Sequence, residues 1–304
     1  MTTGAAGRLL VRAGPTWSAA AILLAFAVVP WTGHYAFGSS RFALLPARLD
    51  WGVLFALAML LLSGLVRVLA EISDPRPAVA LTGMRRAARF AASSTALWLS
   101  LLPILLIFGS LQMSEIVNGQ DSGQLRLPIP AMNLWLPAWG ILLNPPAAVI
   151  FLVAAMAQAG LSPFDVNAAE EELAGGRIGD NPAARSASLA LTDRLRGILI
   201  AALASGFFLG GWSLPWIPQA ALTGFFEAFV GGGVANFLSL AIHFVVFALK
   251  VGGVLAVQRG LARTLGRVRF EPVLNLCWKV LLPAALLDTL ATAAVLAWRA
   301  GGGP

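Results

Sequence analysis

Charge is scarce in this chain: Asp, Glu, Lys and Arg together make up 12% of 304 residues. Cysteine occurs once, tyrosine once and histidine twice. The lone Cys277 excludes an intrachain disulfide and a cysteine-held iron–sulfur cluster, and reads as a small helix-packing residue. Two histidines are too few for a multi-histidine haem or zinc site, and no HExxH, GxGxxG or Walker pattern is present. The chain is therefore expected to hold no metal and no cofactor of its own. A stripe of basic residues interleaved with exposed aromatics is also missing, so the net charge of +7 is not read as nucleic-acid binding.

What the chain has in abundance is apolar surface. Hydrophobic residues are 58% of the total and Trp occurs ten times, more than a soluble core of this length can bury. The fold class expected is an all-α, polytopic membrane protein, one integral-membrane domain over 1–304. A bilayer crossing needs ~20 apolar residues for ~30 Å of hydrocarbon. Seven runs qualify, at about 15–34, 51–70, 91–112, 134–159, 197–216, 235–257 and 279–298. Pro145 and Pro146 imply that the fourth is kinked or starts later. The amino-terminal stretch carries Arg8 and Arg12 before its apolar run, but that run ends in Pro30-Trp31 without a small-residue cleavage site, so it is read as a span.

Arginine sets the orientation. The amino-terminal segment and the loops at about 71–90, 160–196 and 258–279 hold most of the basic residues, whereas the alternate loops hold only Arg41, Arg48 and Arg126. This pattern places the amino terminus and the three charged loops in the cytoplasm, in a cell inner (plasma) membrane, with lipid headgroups as one partner of the basic residues.

The longest of these loops contains "SPFDVNAAEEELAGG", with Asp165, Glu170, Glu171 and Glu172. Pro163 stops the preceding helix, Asp165 or Asn167 can cap a new one, and acids in its first turns suit the helix dipole. Consecutive residues on a helix lie ~100° apart, so Glu170 and Glu171 face different ways. A solvated capping helix and a functional acid cluster both remain open at this point. Within the spans, Arg67, His243, Lys250 and Asp288 are costly to bury and are expected to face partners or watery cavities. Arg67 lies close enough to a span end to snorkel, and Lys250 with Asp288 could form a pair between the last two spans.

Several segments, in order across nearly the whole chain, resemble the H-subunit (subunit 1) family of NADH:quinone oxidoreductase, respiratory complex I. "GMRRAARFAASSTALWLSLLPILLIFGSLQMSEIVNGQ" is similar to that family's third-loop and helix segment, and "PFDVNAAEEELAGG" to its PFD-x-x-x-A-E-x-E-L-x-x-G signature. "FFLGGW" resembles the end of the following span, and "RVRFEPVLNLCWKVLLPAALL" the R-x-R-[YF]-[DE] and W-K-x-L-L-P tail.

The resemblance implies a membrane subunit, non-catalytic alone, that connects the peripheral redox arm to the membrane arm. It implies a share in the quinone cavity and in the proton-coupling path, with quinone as substrate of the complex. The implied partners are the other membrane-arm subunits and the soluble iron–sulfur and quinone-site subunits. Carried over by position, Asp165, Glu170, Glu172 and Asp193 match acids of that path, Arg85 and Arg86 its loop arginine, and Lys250 and Lys279 its lysines; Asp288 is a further intramembrane ion.

The departures are Gln158 and Thr95 where the family has Glu, Leu161 where it has Arg, and Ala168 where an acid is usual. The chain also starts at what resembles the family's second span, which leaves three readings open: a neighbouring polypeptide supplies the first, the chain is a fragment, or it is a paralogue whose quinone site is altered or lost. The anchor subunit of a [NiFe] hydrogenase or formate hydrogenlyase stays open as an alternative, with a free-standing transporter less favoured.

Overall fold

A computed structural model describes residues 5–33, 35–37, 40–42, 47–75, 77–122, 124–126, 135–161, 163–164, 182–264 and 270–301. Its helices are α1 (Ala5–Phe26), α2 (Gly52–Ile72), α3 (Pro77–Phe108), α4 (Met113–Ser122), α5 (Gly140–Leu143), α6 (Pro145–Ala159), α7 (Pro182–Phe208), α8 (Gln219–Val230), α9 (Gly232–Thr264), α10 (Phe270–Asn275) and α11 (Leu282–Ala300). A π-helical turn, Leu276–Leu281, joins α10 to α11. Pro283 follows that turn and has no N–H for the Lys279 carbonyl, which favours the wider register there. Two small antiparallel hairpins, β1 (Tyr35–Phe37) with β2 (Ser40–Phe42) and β3 (Gln124–Arg126) with β4 (Trp135–Pro137), close connections at one end. The protein is an all-α, multi-pass membrane protein.

Four described helices are long and apolar enough to cross a membrane: Gly52–Ile72, Val79–Phe108, Gly232–Thr264 and Glu271–Ala300. Ala13–Phe26 and Pro145–Ala159 are shorter apolar helices, and α7 carries Asp193, Arg194 and Arg196 in its first half. These are the segments picked out by hydropathy, with altered ends. The arginine-bearing stretches expected as loops are partly helical: α3 begins at Pro77, α7 at Pro182, and α9 continues to Thr264. In α3 and α7 several of these arginines are buried and paired, so the helix continues through them.

Helix α6 shows why the fourth span begins late. The Asn144 side chain accepts the Ala147 N–H at 3.1 Å, and Pro145 and Pro146 fill the first turn, where no donor is needed. Gly160 ends the helix at φ 65°, and Leu161 N–H reaches the Met156 carbonyl at 3.0 Å, a six-to-one closure that favours glycine.

The core forms where α3, α6 and α7 meet, around Leu97, Leu101, Ile104, Phe151, Phe207 and Phe208. Helix α1 packs on α2 and α7, α2 on α3, α11 on α3, and α9 on α7. The two peripheral spans are the least enclosed: 22% of the apolar window of α9 and 11% of that of Glu271–Ala300 is buried, against 50% for α2 and α3. Their outward faces meet lipid or neighbouring subunits.

Candidate functional site

Polar groups gather at both ends of the bundle. At the end formed by the last turns of α2 and the first halves of α3 and α7, four arginines and two carboxylates meet beneath apolar surroundings. Glu71, in the last turn of α2, accepts from Arg86 Nε at 2.7 Å and lies 3.5 Å from Arg67 Nε one turn earlier. Arg67 also reaches across to Asp193 of α7. Glu71, Arg67 and Arg86 have side-chain exposures of 7%, 10% and 7%, so their mutual attraction is poorly screened.

Arg196, 3% exposed, lies three residues after Asp193 and so on its side of α7. Its Nη2 donates to Ser63 Oγ at 2.8 Å and Ser18 Oγ at 3.2 Å, while Ser18 donates to the Ser63 carbonyl. Arg89 Nη1 donates to the Phe164 carbonyl at 2.8 Å, which fixes the "PF" that opens the acidic signature. Gly160 makes room for it: a Cβ there would sit 2.9 Å from Arg89 Nη2. Among the described residues, four guanidinium groups (67, 86, 89 and 196) and two carboxylates (71 and 193) meet where the chain reaches Phe164, directly before Asp165.

The expected site residues divide accordingly. Arg86 and Asp193 belong to this network, and Arg85 is half-buried beside it on α3. Asp165, Glu170 and Glu172 lie outside the described residues. Lys279 is exposed on the π-helical turn and does not join the cluster. Arg67 does not snorkel to water as expected; its partners Glu71 and Asp193 hold it inside the bundle. Glu71, Arg89 and Arg196 were not singled out by sequence reasoning, although the Arg67-to-Glu71 spacing of four is a helix ion-pair signal.

The neutral replacements are also accounted for. Gln158 Nε2 donates to Ser94 Oγ at 3.2 Å, and Thr95 Oγ1 bonds back to the Ala92 carbonyl at 2.9 Å. Positions that resemble the family's carboxylates thus carry an uncharged pair here.

The other end holds Lys250, whose Nζ donates to the carbonyls of Leu209 and Ser213, both at 2.6 Å, and lies 4.4 Å from the Trp139 ring centroid. It does not pair with Asp288. Asp288 lies near Asn144, whose Nδ2 donates to Thr292 Oγ1 at 3.1 Å. Once the carbonyls left open by the Gly210–Gly211 turn satisfy the ammonium, no carboxylate is required.

A profile of the NADH dehydrogenase family matches residues 1–293. The H subunit of an NADH-quinone oxidoreductase from Rhodopseudomonas palustris is 30% identical over 294 residues, covering 97% of this chain and 77% of that protein. The chain belongs to this family, the H subunits of NADH-quinone oxidoreductase. The H subunit from Cereibacter sphaeroides is 33% identical over 266 residues, 87% of this chain and 72% of its own length. That from Geobacter metallireducens is 29% identical over 294 residues, 97% and 78% respectively.

Proposed function

We propose that this chain is the membrane subunit of a complex I type enzyme at which the soluble redox arm meets the membrane arm. The observation that carries the reading is the Arg67–Glu71–Arg86–Asp193–Arg196 network at the end from which the acidic signature departs. Family membership favours this over a hydrogenase anchor, since the relatives described above are named NADH-quinone oxidoreductase subunits. The arginine-rich end faces the cytoplasm in the inner membrane, by the positive-inside rule. It presents 160–196 and its neighbours to iron–sulfur and quinone-site subunits.

In this reading quinone is the substrate of the complex, and its headgroup is reduced beside the arginine network. Reduction adds two electrons and draws two protons. Guanidinium groups favour quinone species that have gained negative charge, and in this reading Asp165, Glu170, Glu172 and Asp193 exchange protons with them. Arg85 and Arg86 supply the cationic lining, while Gln158 and Thr95 reduce the number of acids available at this end.

The test uses the assembled enzyme with Glu170→Gln, Glu172→Gln and Asp193→Asn made singly. NADH oxidation by a soluble electron acceptor should be unchanged, because that activity bypasses the membrane subunit. Quinone turnover or the proton-to-electron ratio should fall in at least one variant. If all three leave assembly, quinone turnover and the ratio at parental values, the acids have no part in the reaction and the reading fails.

A further inference from the structure

The end of the bundle opposite the arginine network holds a second polar centre that the proposed function does not use. His243 is fully buried on α9. Its Nδ1 is hydrogen-bonded to the Tyr35 hydroxyl, and its ring lies against Trp212, centroids 4.9 Å apart. Its Nε2 has no hydrogen-bond partner. One turn earlier on the same face, Ser239 is fully buried with an unpartnered Oγ, and Ser213, next to Trp212, is the same. Two further atoms at this end, Asp121 Oδ1 and Trp139 Nε1, are buried and unbonded.

Isolated unsatisfied groups are rare in native interiors, because each costs about 1–3 kcal/mol. Several gathered at one end, with the most buried being a histidine nitrogen and two hydroxyls, have a common physical remedy. Buried water, making about three hydrogen bonds per molecule, satisfies such groups. The arrangement is also selective at the imidazole: Tyr35 holds Nδ1, so only Nε2 is left to meet water.

We propose that the fully buried, unpartnered His243 Nε2, Ser239 Oγ and Ser213 Oγ bind ordered water and form a proton-loading site on the far side of the membrane domain. His243 is the proton acceptor. With Nδ1–H donating to the Tyr35 oxygen, Nε2 takes a proton from hydronium, giving imidazolium and water, and returns it by the reverse step. Tyr35 is a positioning residue that orients the ring, and the tautomer whose Nδ1–H donates to its oxygen is the one that leaves Nε2 able to accept a proton. Burial, with the Asp121 carboxylate nearby, raises the Tyr35 phenol above its ordinary value, so the hydroxyl stays neutral.

The charged and titratable groups around the ring are Tyr35 from β1, Asp121 from α4 and Lys250 two turns along α9, whereas α7 contributes the backbone carbonyls and Ser213 of its closing turn. Asp121 is anchored by accepting the Gln219 N–H at 3.3 Å.

This inference stands apart from the proposed function, since neither readout needs quinone turnover. The assembled enzyme, carrying ring-15N histidine, is reconstituted in lipid nanodiscs. The His243 signals are identified by their loss in His243→Gln, and are followed between about pH 4 and 9, a window that covers both buried and accessible imidazoles. A cryo-EM map of the same preparation resolves ordered water.

The expected result is water density bridging Nε2 to Ser239 or Ser213, an Nδ1 that stays protonated, and an Nε2 that gains a proton reversibly. Replacing both serines by alanine should shift that titration about tenfold in proton affinity, the change given by one hydrogen bond of ~1.4 kcal/mol. A dry site, or an Nε2 whose protonation is constant over the whole range, overturns the proposal. Should His243→Gln fail to assemble, Ser239→Ala alone decides, since it leaves the ring in place and removes a water ligand.

Discussion

Replacing Glu71 by Ala removes a carboxylate that two buried arginines share. Arg86 Nε loses a 2.7 Å ion-pair contact and Arg67 Nε one at 3.5 Å, in surroundings where both partners of the shorter contact are 7% exposed. Little solvent is available to take over. Breaking a buried pair from one side costs about 3–5 kcal/mol, since it leaves an uncompensated charge; that corresponds to roughly a hundred- to several-thousand-fold in a folding or assembly equilibrium. Glu71→Gln keeps one acceptor oxygen and should cost roughly half as much, in the range of a charged hydrogen bond, about 1.5–3 kcal/mol. The double variant Glu71→Leu/Arg86→Leu should be less damaging than the sum of the two singles, with a coupling of about 1–3 kcal/mol. The assay is the half-life of the assembled complex on warming, followed by native electrophoresis and by loss of the chain from the membrane arm. If Glu71→Ala stays within about 0.5 kcal/mol of the parent, the range of an ordinary surface substitution, the network is not structurally important and the argument is refuted.

Asp193→Ala should cost less than about 1 kcal/mol in the same assay, because the Asp193 side chain is 34% exposed and water can replace it at Arg67. A larger loss would mean that another subunit covers it. Gly160→Ala forces a side chain into the left-handed region and against Arg89, so it should lower complex stability by about 1 kcal/mol or more. Parental thermal stability would show that the turn relaxes. Burial raises the Asp121 carboxyl above its ordinary value, so the native state holds the proton longer than the unfolded chain does. Its contribution to stability therefore falls as pH rises from the ordinary carboxylate value towards the raised one, and Asp121→Asn should flatten that dependence; an unchanged pH profile of thermal stability would contradict it. Finally, in intact cells an impermeant thiol reagent should reach Ser122→Cys and spare Arg194→Cys, two exposed positions at opposite ends of the bundle. The reverse pattern would invert the orientation.

The membrane class and the helical segments were legible because hydropathy acts over whole spans. The late start of α6 was one of the two readings that Pro145 and Pro146 allowed, and the cap from Asn144 was not foreseen. The reach of α3 and α7 into arginine-rich sequence was not, because a count of charges does not tell a solvated loop from a helix whose arginines point into a buried network. Arg67 illustrates the difference. From sequence its nearest source of relief was the span end, whereas its actual partners are a carboxylate four residues on and another 126 residues away. The pairing that sequence left open for Lys250 and Asp288 is not formed, for a related reason. Backbone carbonyls at a glycine turn satisfy an ammonium as well as a carboxylate does, and no residue-type pattern records them. His243 was noticed as an intramembrane polar residue, but its partner Tyr35 lies 208 positions away, beyond any local signal.

The two polar centres are joined by α7, which carries Asp193 and Arg196 near its middle and leads into Leu209 and Ser213 at its carboxyl end. From Arg196 to Phe208, where α7 ends, is 12 residues, or about 18 Å along a helix. At that distance a unit charge change at one end alters the energy of a unit charge at the other by only about 0.9 kcal/mol with an effective dielectric constant near 20, about two-thirds of a pH unit. Between them lie Phe151, Phe207 and Phe208, fully or almost fully buried, and an apolar groove lined by Leu152, Ala204 and Val254. A direct electrostatic signal is thus too weak to load or unload a proton at His243 in step with quinone chemistry at the arginine network. Coupling between the ends requires displacement of α7, whose first half is held by ion pairs and whose closing turn is held by Lys250. Lys250→Met should therefore uncouple the far end while leaving the Arg67–Glu71–Arg86 contacts in place. The expected result is retained quinone turnover with a lower proton-to-electron ratio. Equal loss of both would mean that Lys250 serves the fold as a whole, and an unchanged ratio would show that α7 carries no signal between the two centres.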